Sequence, residues 1–210
     1  MALVAPAQGP TPADGRLARG ARTRRALAEA LIALIEQGDA QPTARRVAAR
    51  AGVSPRLVFH HFEDMEQVLQ AAVGVQVERH WRHLEPVDST AALPGRISRL
   101  VRRRATLYER IGPVRRAAAM VESTSPTLAA ELAHSRRHLR HHVESAFAVE
   151  LDGAGRRRGE VLDSLDLATS WESWEHLRSA MGRSPAGAGA VVRRLVHSII
   201  GPIATDGGTP

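Results

Sequence analysis

The chain has 210 residues, 43% of them hydrophobic but only 3% aromatic, enough for one small and one ordinary domain built on aliphatic cores. It carries a net charge of +7, all 29 of its Lys and Arg residues are arginine, and it contains no cysteine, which excludes disulfides and thiolate metal sites. No apolar run approaches the ~20 residues that span a bilayer, and the N-terminus lacks a signal-peptide core, so a soluble, cytoplasmic, non-membrane protein is expected.

In chain order, residues 1–20 are rich in proline, glycine and alanine and read as a disordered extension. Arg16 and Arg19 near its end allow either an arm that reaches phosphates or a passive tail. A helix is expected over 23–37, where Leu27, Ala30, Leu31, Leu34 and Ile35 recur at three-to-four spacing and Gly38 stops it. Residues 43–69 then show two short amphipathic helices around a tight turn. Thr43 caps the first, which turns Val47, Ala48 and Ala51 inward, and Gly52 supplies the turn conformation. Ser54 caps the second, with Pro55 at its first position, where the missing N–H costs nothing. The second helix offers Arg56, Leu57, His60 and His61 outward while Val58 and Phe62 point inward, a geometry that fits the DNA major groove.

Nine arginines against three acidic residues between Arg16 and Phe62 give this region a local charge of +6, which suits a surface facing phosphates. The prevalence of arginine itself is explained by a GC-rich coding sequence. A further helix over 64–84, closed by Pro86, starts on an acidic turn and links the helix-turn-helix to the rest of the chain. Helices near 93–111, 113–121, 126–151, 158–182 and 186–203 come next, separated at Gly112-Pro113, Ser125-Pro126, 152–155 and 182–185. No segment alternates convincingly as a strand, so the chain is all-α, with about nine helices.

The string Thr43, Val47-Ala48, Ala51-Gly52-Val53-Ser54, Phe59-His60-His61-Phe62 and Glu66 with Val68-Leu69 resembles the tetracycline-repressor (TetR) family of bacterial transcription regulators. The resemblance implies a three-helix helix-turn-helix domain over 21–68, a larger helical effector-binding and dimerisation domain over 69–205, and a disordered tail over 206–210. It also implies a repressor dimer released from a palindromic double-stranded DNA operator by a small molecule. By motif match, Arg45, Arg46, Arg56, Leu57 and His60 approach bases or nearby phosphates, and Thr43, Ser54 and His61 position the motif on the backbone. Two positions depart from the family: Phe59 stands where Tyr is usual and Met65 where Lys is usual, so two phosphate contacts are missing. Phe59 can still pack, but it has no hydroxyl to offer. A helical interaction or ligand-binding protein with weakened or lost DNA binding is therefore the alternative.

The last two helices, about 158–203, suggest a homodimer interface. In the first, Val161, Leu165 and Ala168 form one apolar face and Leu167, Trp171, Trp174, Leu177 and Met181 another. The second carries Val191, Val192, Leu195, Val196, Ile199, Ile200 and Ile203. Ligand-pocket candidates start from Arg104, which interrupts the apolar stripe Ile97, Leu100, Val101, Leu107, Tyr108 and Ile111. A buried guanidinium needs an anionic partner. Either Glu172 or Glu175 bridges it, or it faces a cavity that binds an acidic effector; Trp171 and His142 border the same space. His134, His138 and His141 have metal-chelating spacing but fall opposite the apolar stripe of their helix, so a solvated face is expected and no metal or cofactor. No phosphate loop, nucleophile motif or acidic metal cluster suggests catalysis, so no catalytic residue is assigned and a non-enzyme is expected.

Overall fold

Capping residues mark out the first elements. The computed structural model describes residues 12–81, 84 and 87–206, and every regular element among them is helical. Helix α1 spans Pro12–Glu36 and stops at Gly38, whose φ of 93° is the left-handed conformation that glycine adopts without strain. It begins earlier than the expected residue 23, so 12–20 of the anticipated extension are helical, while 1–11 lie outside the described residues. Helix α2, Ala44–Ala51, starts at Thr43, whose hydroxyl accepts the Arg46 N–H at 3.4 Å. It ends at Gly52, φ 69°, whose N–H donates back to the Ala48 and Ala49 carbonyls. Helix α3, Pro55–His61, begins after two further residues, and Asp64 then accepts the Gln67 N–H at 2.8 Å to start α4, Met65–Trp81. The expected end of that helix was 84, but Leu84 already lies outside it, and Pro86 is outside the described residues.

The first core is built from Leu27, Leu31, Val47, Val58, Phe62 and Val68, all at most 2% exposed. It does not stop at the boundary expected after residue 68. Val73 and Val75 of α4 belong to it, as do Val114, Ala118, Leu128 and Leu132 from later helices. The helix-turn-helix therefore rests on the larger domain through shared apolar burial rather than hanging from a linker.

Helix α5, Leu93–Val121, runs straight through Gly112-Pro113, where a break was expected. A proline inside a helix forfeits one backbone hydrogen bond and costs about 3 kcal/mol. Here Leu107 and Tyr108 before it and Val114 and Ala118 after it are all buried on a continuous face, and that burial outweighs the loss. Helix α6, Pro126–Ala146, starts at Ser125, whose hydroxyl accepts the Leu128 N–H, and ends five residues before the expected 151 at the fully buried Phe147. The short α7, Ala148–Gly153, and a 3₁₀ turn, Gly155–Arg157, lead into α8, Arg158–Ala168.

The helix expected over 158–182 is divided. Thr169 hydrogen-bonds the Leu165 carbonyl with its hydroxyl, and Ser170 accepts the Ser173 N–H at 3.1 Å to cap a new helix, α9, Trp171–Glu175, which continues as a π turn over His176–Ala180. This corrects the picture of one helix apolar on two sides. The break folds Trp174 and Leu177 into the same core as Val161 and Leu165, leaving Leu167 and Met181 outside. Helix α10, Pro185–Asp206, closes the bundle, and its Val192, Val196 and Ile200 join Ile97, Leu100 and Phe147 in the second core. A buried pair ties the two ends of that core together: Arg96 of α5 donates to both carboxylate oxygens of Glu150 of α7 and to the Ala146 carbonyl. Each partner is only 6% exposed, so its desolvation is offset only because the hydrogen bonds are nearly complete. No described helix is long and apolar enough to cross a membrane.

Candidate functional site

The helix-turn-helix presents a polar edge because its apolar residues are fully committed inward. Val58 is 0% and Phe62 2% exposed, which fixes the rotation of α3 and leaves Ser54, Arg56, Phe59 and His60 on the outside. Leu57 and His61 are half-buried at the edges of this surface. Ser54 occupies the N-cap position but its hydroxyl makes no cap bond. The C-terminal end of α3 is held by Arg24, a residue that counts in the sequence only as one of the basic flank. Arg24 of α1 donates to the His61 carbonyl and lays its guanidinium 4.2 Å from the centre of the Phe62 ring. Burial, then His60 and Arg24, push the His61 pKa below its usual value, so this imidazole is neutral at pH 7.

Around α3, Arg45, Arg50 and Arg56 are exposed, whereas Arg46 pairs with Asp39 at 2.7 Å and Arg25 with Glu29 and Glu78. The basic surface is therefore smaller than the local +6 suggests. Phe59 does not pack; it is 57% exposed on the same edge as His60. Met65 turns the other way, half-buried against the first core, where a lysine would have left its charge in solvent.

A second feature lies between α4, α5, α6 and the α8–α9 corner: a cavity of about 110 Å³ walled by Val73, Leu107, Tyr108, Ile111, Leu139 and Trp171, among others. Of the expected pocket residues, Arg104, Leu107, Tyr108, Trp171 and Glu172 line it; His142 and Glu175 do not. Glu175 is drawn off by Arg116 at 3.0 Å, and His142 lies against His138 instead, the rings tilted by 51°. The Arg104–Glu bridge is also absent. Arg104, 3% exposed, donates to the Leu139 carbonyl at 2.6 Å, and its Nε and Nη1 have no hydrogen-bond partner among the described residues. Glu172 is engaged elsewhere, by Arg115 at 3.1 Å and Arg136 at 3.2 Å, while Glu122 pairs with the same two arginines. Arg115 also stacks on the Trp171 ring at 4.5 Å. Tyr108 donates to the Thr169 carbonyl at 2.8 Å, and burial raises its pKa.

Gln76, Arg115, Ser135 and Arg136 also line the cavity, and none of them was expected there from the sequence. Gln76 comes one turn after Ala72 on the buried face of α4, so the signal that singled out Arg104, a polar residue in an apolar stripe, was present there too. Arg115 comes one turn after Ile111 in the same way and was lost to the break expected at Pro113.

The histidine row on α6 is not a solvated face throughout. His138 stacks on Trp81, the last residue of α4, at 4.2 Å and 10° between planes, with His134 at 5.9 Å on the same ring. Burial lowers the pKa of His138 and brings that of His142 down to about 4. Among the described residues no group of three or more His, Cys, Asp or Glu side chains is placed to hold a metal.

Comparison with known proteins agrees with this architecture. The family model described as bacterial regulatory proteins, tetR family, matches residues 26–72. Solved structures with the same fold include a transcriptional regulator from Rhodococcus sp. Rha1, with 21% identity, 85% of this chain and 96% of that one covered, and a TM-score of 0.68. A candidate TetR-family transcriptional regulator from Mesorhizobium loti gives 21% identity, 88% and 98% coverage and a TM-score of 0.68. A tetR-family transcriptional regulator from Streptomyces coelicolor gives 21%, 88% and 83%, and 0.67. No curated protein matches the chain. Residues 26–72 thus carry the N-terminal helix-turn-helix domain of the tetR family, and the chain as a whole has the TetR-like fold.

Proposed function

We propose that this chain is a dimeric, sequence-specific DNA-binding regulator, a repressor released from a palindromic operator when a small molecule occupies the cavity. The observation that carries this reading is the polar edge of α3, held outward by the complete burial of Val58 and Phe62 beneath it. In this reading Arg56, Leu57 and His60 enter the major groove, with Arg45 and Arg46 at bases or neighbouring phosphates. Arg46 exchanges its Asp39 pair for DNA. Thr43, Ser54 and His61 set the register on the backbone.

Dimerisation is assigned to α8 and α10. Leu167 on α8 is 68% and Leu195 on α10 44% exposed, and Val191 and Ile199, one turn either side of Leu195, are half-exposed on the same face. Two copies packing these helices together form a four-helix interface and set the recognition helices on successive major grooves. Helix α4 supplies the coupling. Its Val68 and Ala72 belong to the first core while its Val73, Gln76 and Val77 wall the cavity, so a ligand that moves α4 also moves the DNA-reading elements. DNA and ligand then weaken each other's binding by the same factor.

Selection of duplexes from a genomic library, then mobility-shift measurement at physiological salt, tests the DNA reading. An inverted repeat is expected, and Arg56→Ala should weaken its retention. The exposed Phe59 and the inward Met65 favour one second reading, a helical ligand-binding or interaction protein with lost DNA binding. Failure to retain any sequence over competitor DNA would select it. Light scattering of a Leu167→Glu, Leu195→Glu double variant tests the interface; a monomer is expected.

A further inference from the structure

We infer that the cavity is a site for a small organic monoanion, a carboxylate carried on one compact apolar ring. This rests on reading the cavity as the effector site, and names the chemistry of what it takes.

The first observation is a gathering of buried polar groups without partners. Gln76 is 4%, Arg104 3% and Arg115 8% exposed, yet both amide atoms of Gln76, Nε and Nη1 of Arg104 and Nη1 of Arg115 make no hydrogen bond among the described residues. Ser135 Oγ and Trp171 Nε1 are in the same condition. All five residues line this one cavity, although they come from α4, α5, α6 and α9. Leaving a buried polar group unpaired costs roughly 1–3 kcal/mol, more for a charged one, so five such residues around a single space are costly unless something there pairs with them, chiefly by accepting from their N–H and O–H groups; Gln76 Oε1 alone needs a donor.

The chemistry of the orphans specifies the acceptor. Guanidinium and indole N–H groups only donate, and hydroxyl and amide can, so the missing partner is rich in acceptor oxygen. It is also anionic. The acidic residues of the wall are already paired, Glu172 with Arg115 and Arg136, and Asp166 with Arg140 at 3.3 Å. Arg104 pairs with no carboxylate among the described residues, so one positive charge stays buried and uncompensated. A single carboxylate meets that charge by accepting a charge-assisted hydrogen bond from the unpartnered Nε or Nη1 of Arg104. Most of the remaining wall is apolar, with Val73, Leu107, Ile111 and Leu139 its main surfaces and Thr169 and Ser170 at one corner. The volume of about 110 Å³, smaller than the ~150 Å³ that takes up benzene, limits the occupant to one compact ring reaching toward the open side of the cavity.

The test uses the full chain without DNA and a set of probes: sodium benzoate, phenylacetate and cyclohexanecarboxylate, each beside its uncharged amide. Calorimetric titration and thermal shift read binding. At least one carboxylate should bind about tenfold or more tighter than its amide, the discrimination one charged hydrogen bond provides. Arg104→Met should abolish that preference and Arg104→Lys retain part of it, while far-ultraviolet circular dichroism reports that both variants are folded. Gln76→Leu, which leaves the charge in place, should weaken binding but keep the order of carboxylate over amide. Amides binding as well as the acids, an Arg104→Met protein that still prefers the acids, or no carboxylate bound at millimolar concentration would each overturn the inference. Because DNA is absent, these outcomes are separate from the regulator reading. A carboxylate that binds without releasing the selected operator leaves the site standing and removes only the effector role.

Discussion

The helix-turn-helix core and the cavity beside it treat polar groups in opposite ways. In the first, around Leu27, Val47, Val58 and Phe62, the side chains on the inside are apolar and the polar residues of α2 and α3 stand in water or in exposed ion pairs. Where the second core meets the first, Arg104 and Arg115 from one long helix are driven inside and left partly unpaired beside a cavity whose walls come from both cores. The first arrangement maximises the rigidity of a surface; the second keeps buried donors in a state that a partner can improve. A recognition surface needs the former and a ligand site the latter, and α4 belongs to both.

Substitutions on either side should therefore move stability in opposite directions. The largest effect is expected in the first core. Phe62→Ala removes a ring that is 2% exposed and also the surface on which Arg24 rests, and should cost about 3–5 kcal/mol in denaturant unfolding. Beside the cavity, Arg104→Met replaces a buried, half-satisfied charge with an apolar chain of similar length and should raise stability by about 1 kcal/mol, read as a higher Tm. A clear fall in Tm would mean that the Arg104–Leu139 bond, not a missing partner, is what the residue is for.

The next expectation concerns pH. His142 is held neutral in the native state with a pKa near 4, against about 6.5 in an unfolded chain, and His138 and His61 shift the same way. The unfolded chain then binds more protons as pH falls, so stability should decline between about pH 6.5 and 4 and be fully present above the upper limit. His142→Gln should flatten the decline between about pH 6.5 and 5, above the range where Glu109, Glu144 and Glu150, whose pKa values are lowered, begin to contribute. The smallest effect is on the recognition edge. Phe59→Tyr places a hydroxyl at an exposed position and should tighten operator binding by at most about tenfold, about 1.4 kcal/mol, without altering stability. An unchanged affinity would show that this edge does not approach phosphate.

Much of this fold was legible along the chain because its signals are local. Thr43, Gly52 and Pro55 act through their own backbone geometry, and Val47, Val58 and Phe62 through spacing, so the helix-turn-helix emerged with its Thr43 cap, its Gly52 turn and its inward residues in place, though Ser54 makes no cap bond. The errors fell where local signals and burial compete. Pro113 reads as a break until a continuous buried face carries the helix through it. Thr169 and Ser170 read as ordinary helix until their hydroxyls turn back on the backbone and split it. Arg46 and Arg25 read as free charge until Asp39, Glu29 and Glu78 come near.

The sequence by itself determined an all-helical chain with a helix-turn-helix near its start, and singled out Arg104 as a charge in the wrong place. Only the tertiary structure decided what surrounds that charge. Gln76, Ser135 and Trp171 are brought to it from helices tens of residues away, and Glu172 is taken from it by Arg115 and Arg136. Helical periodicity reports which side of an element avoids water. Which groups meet on that side, and which are left without partners, depends on how the helices pack.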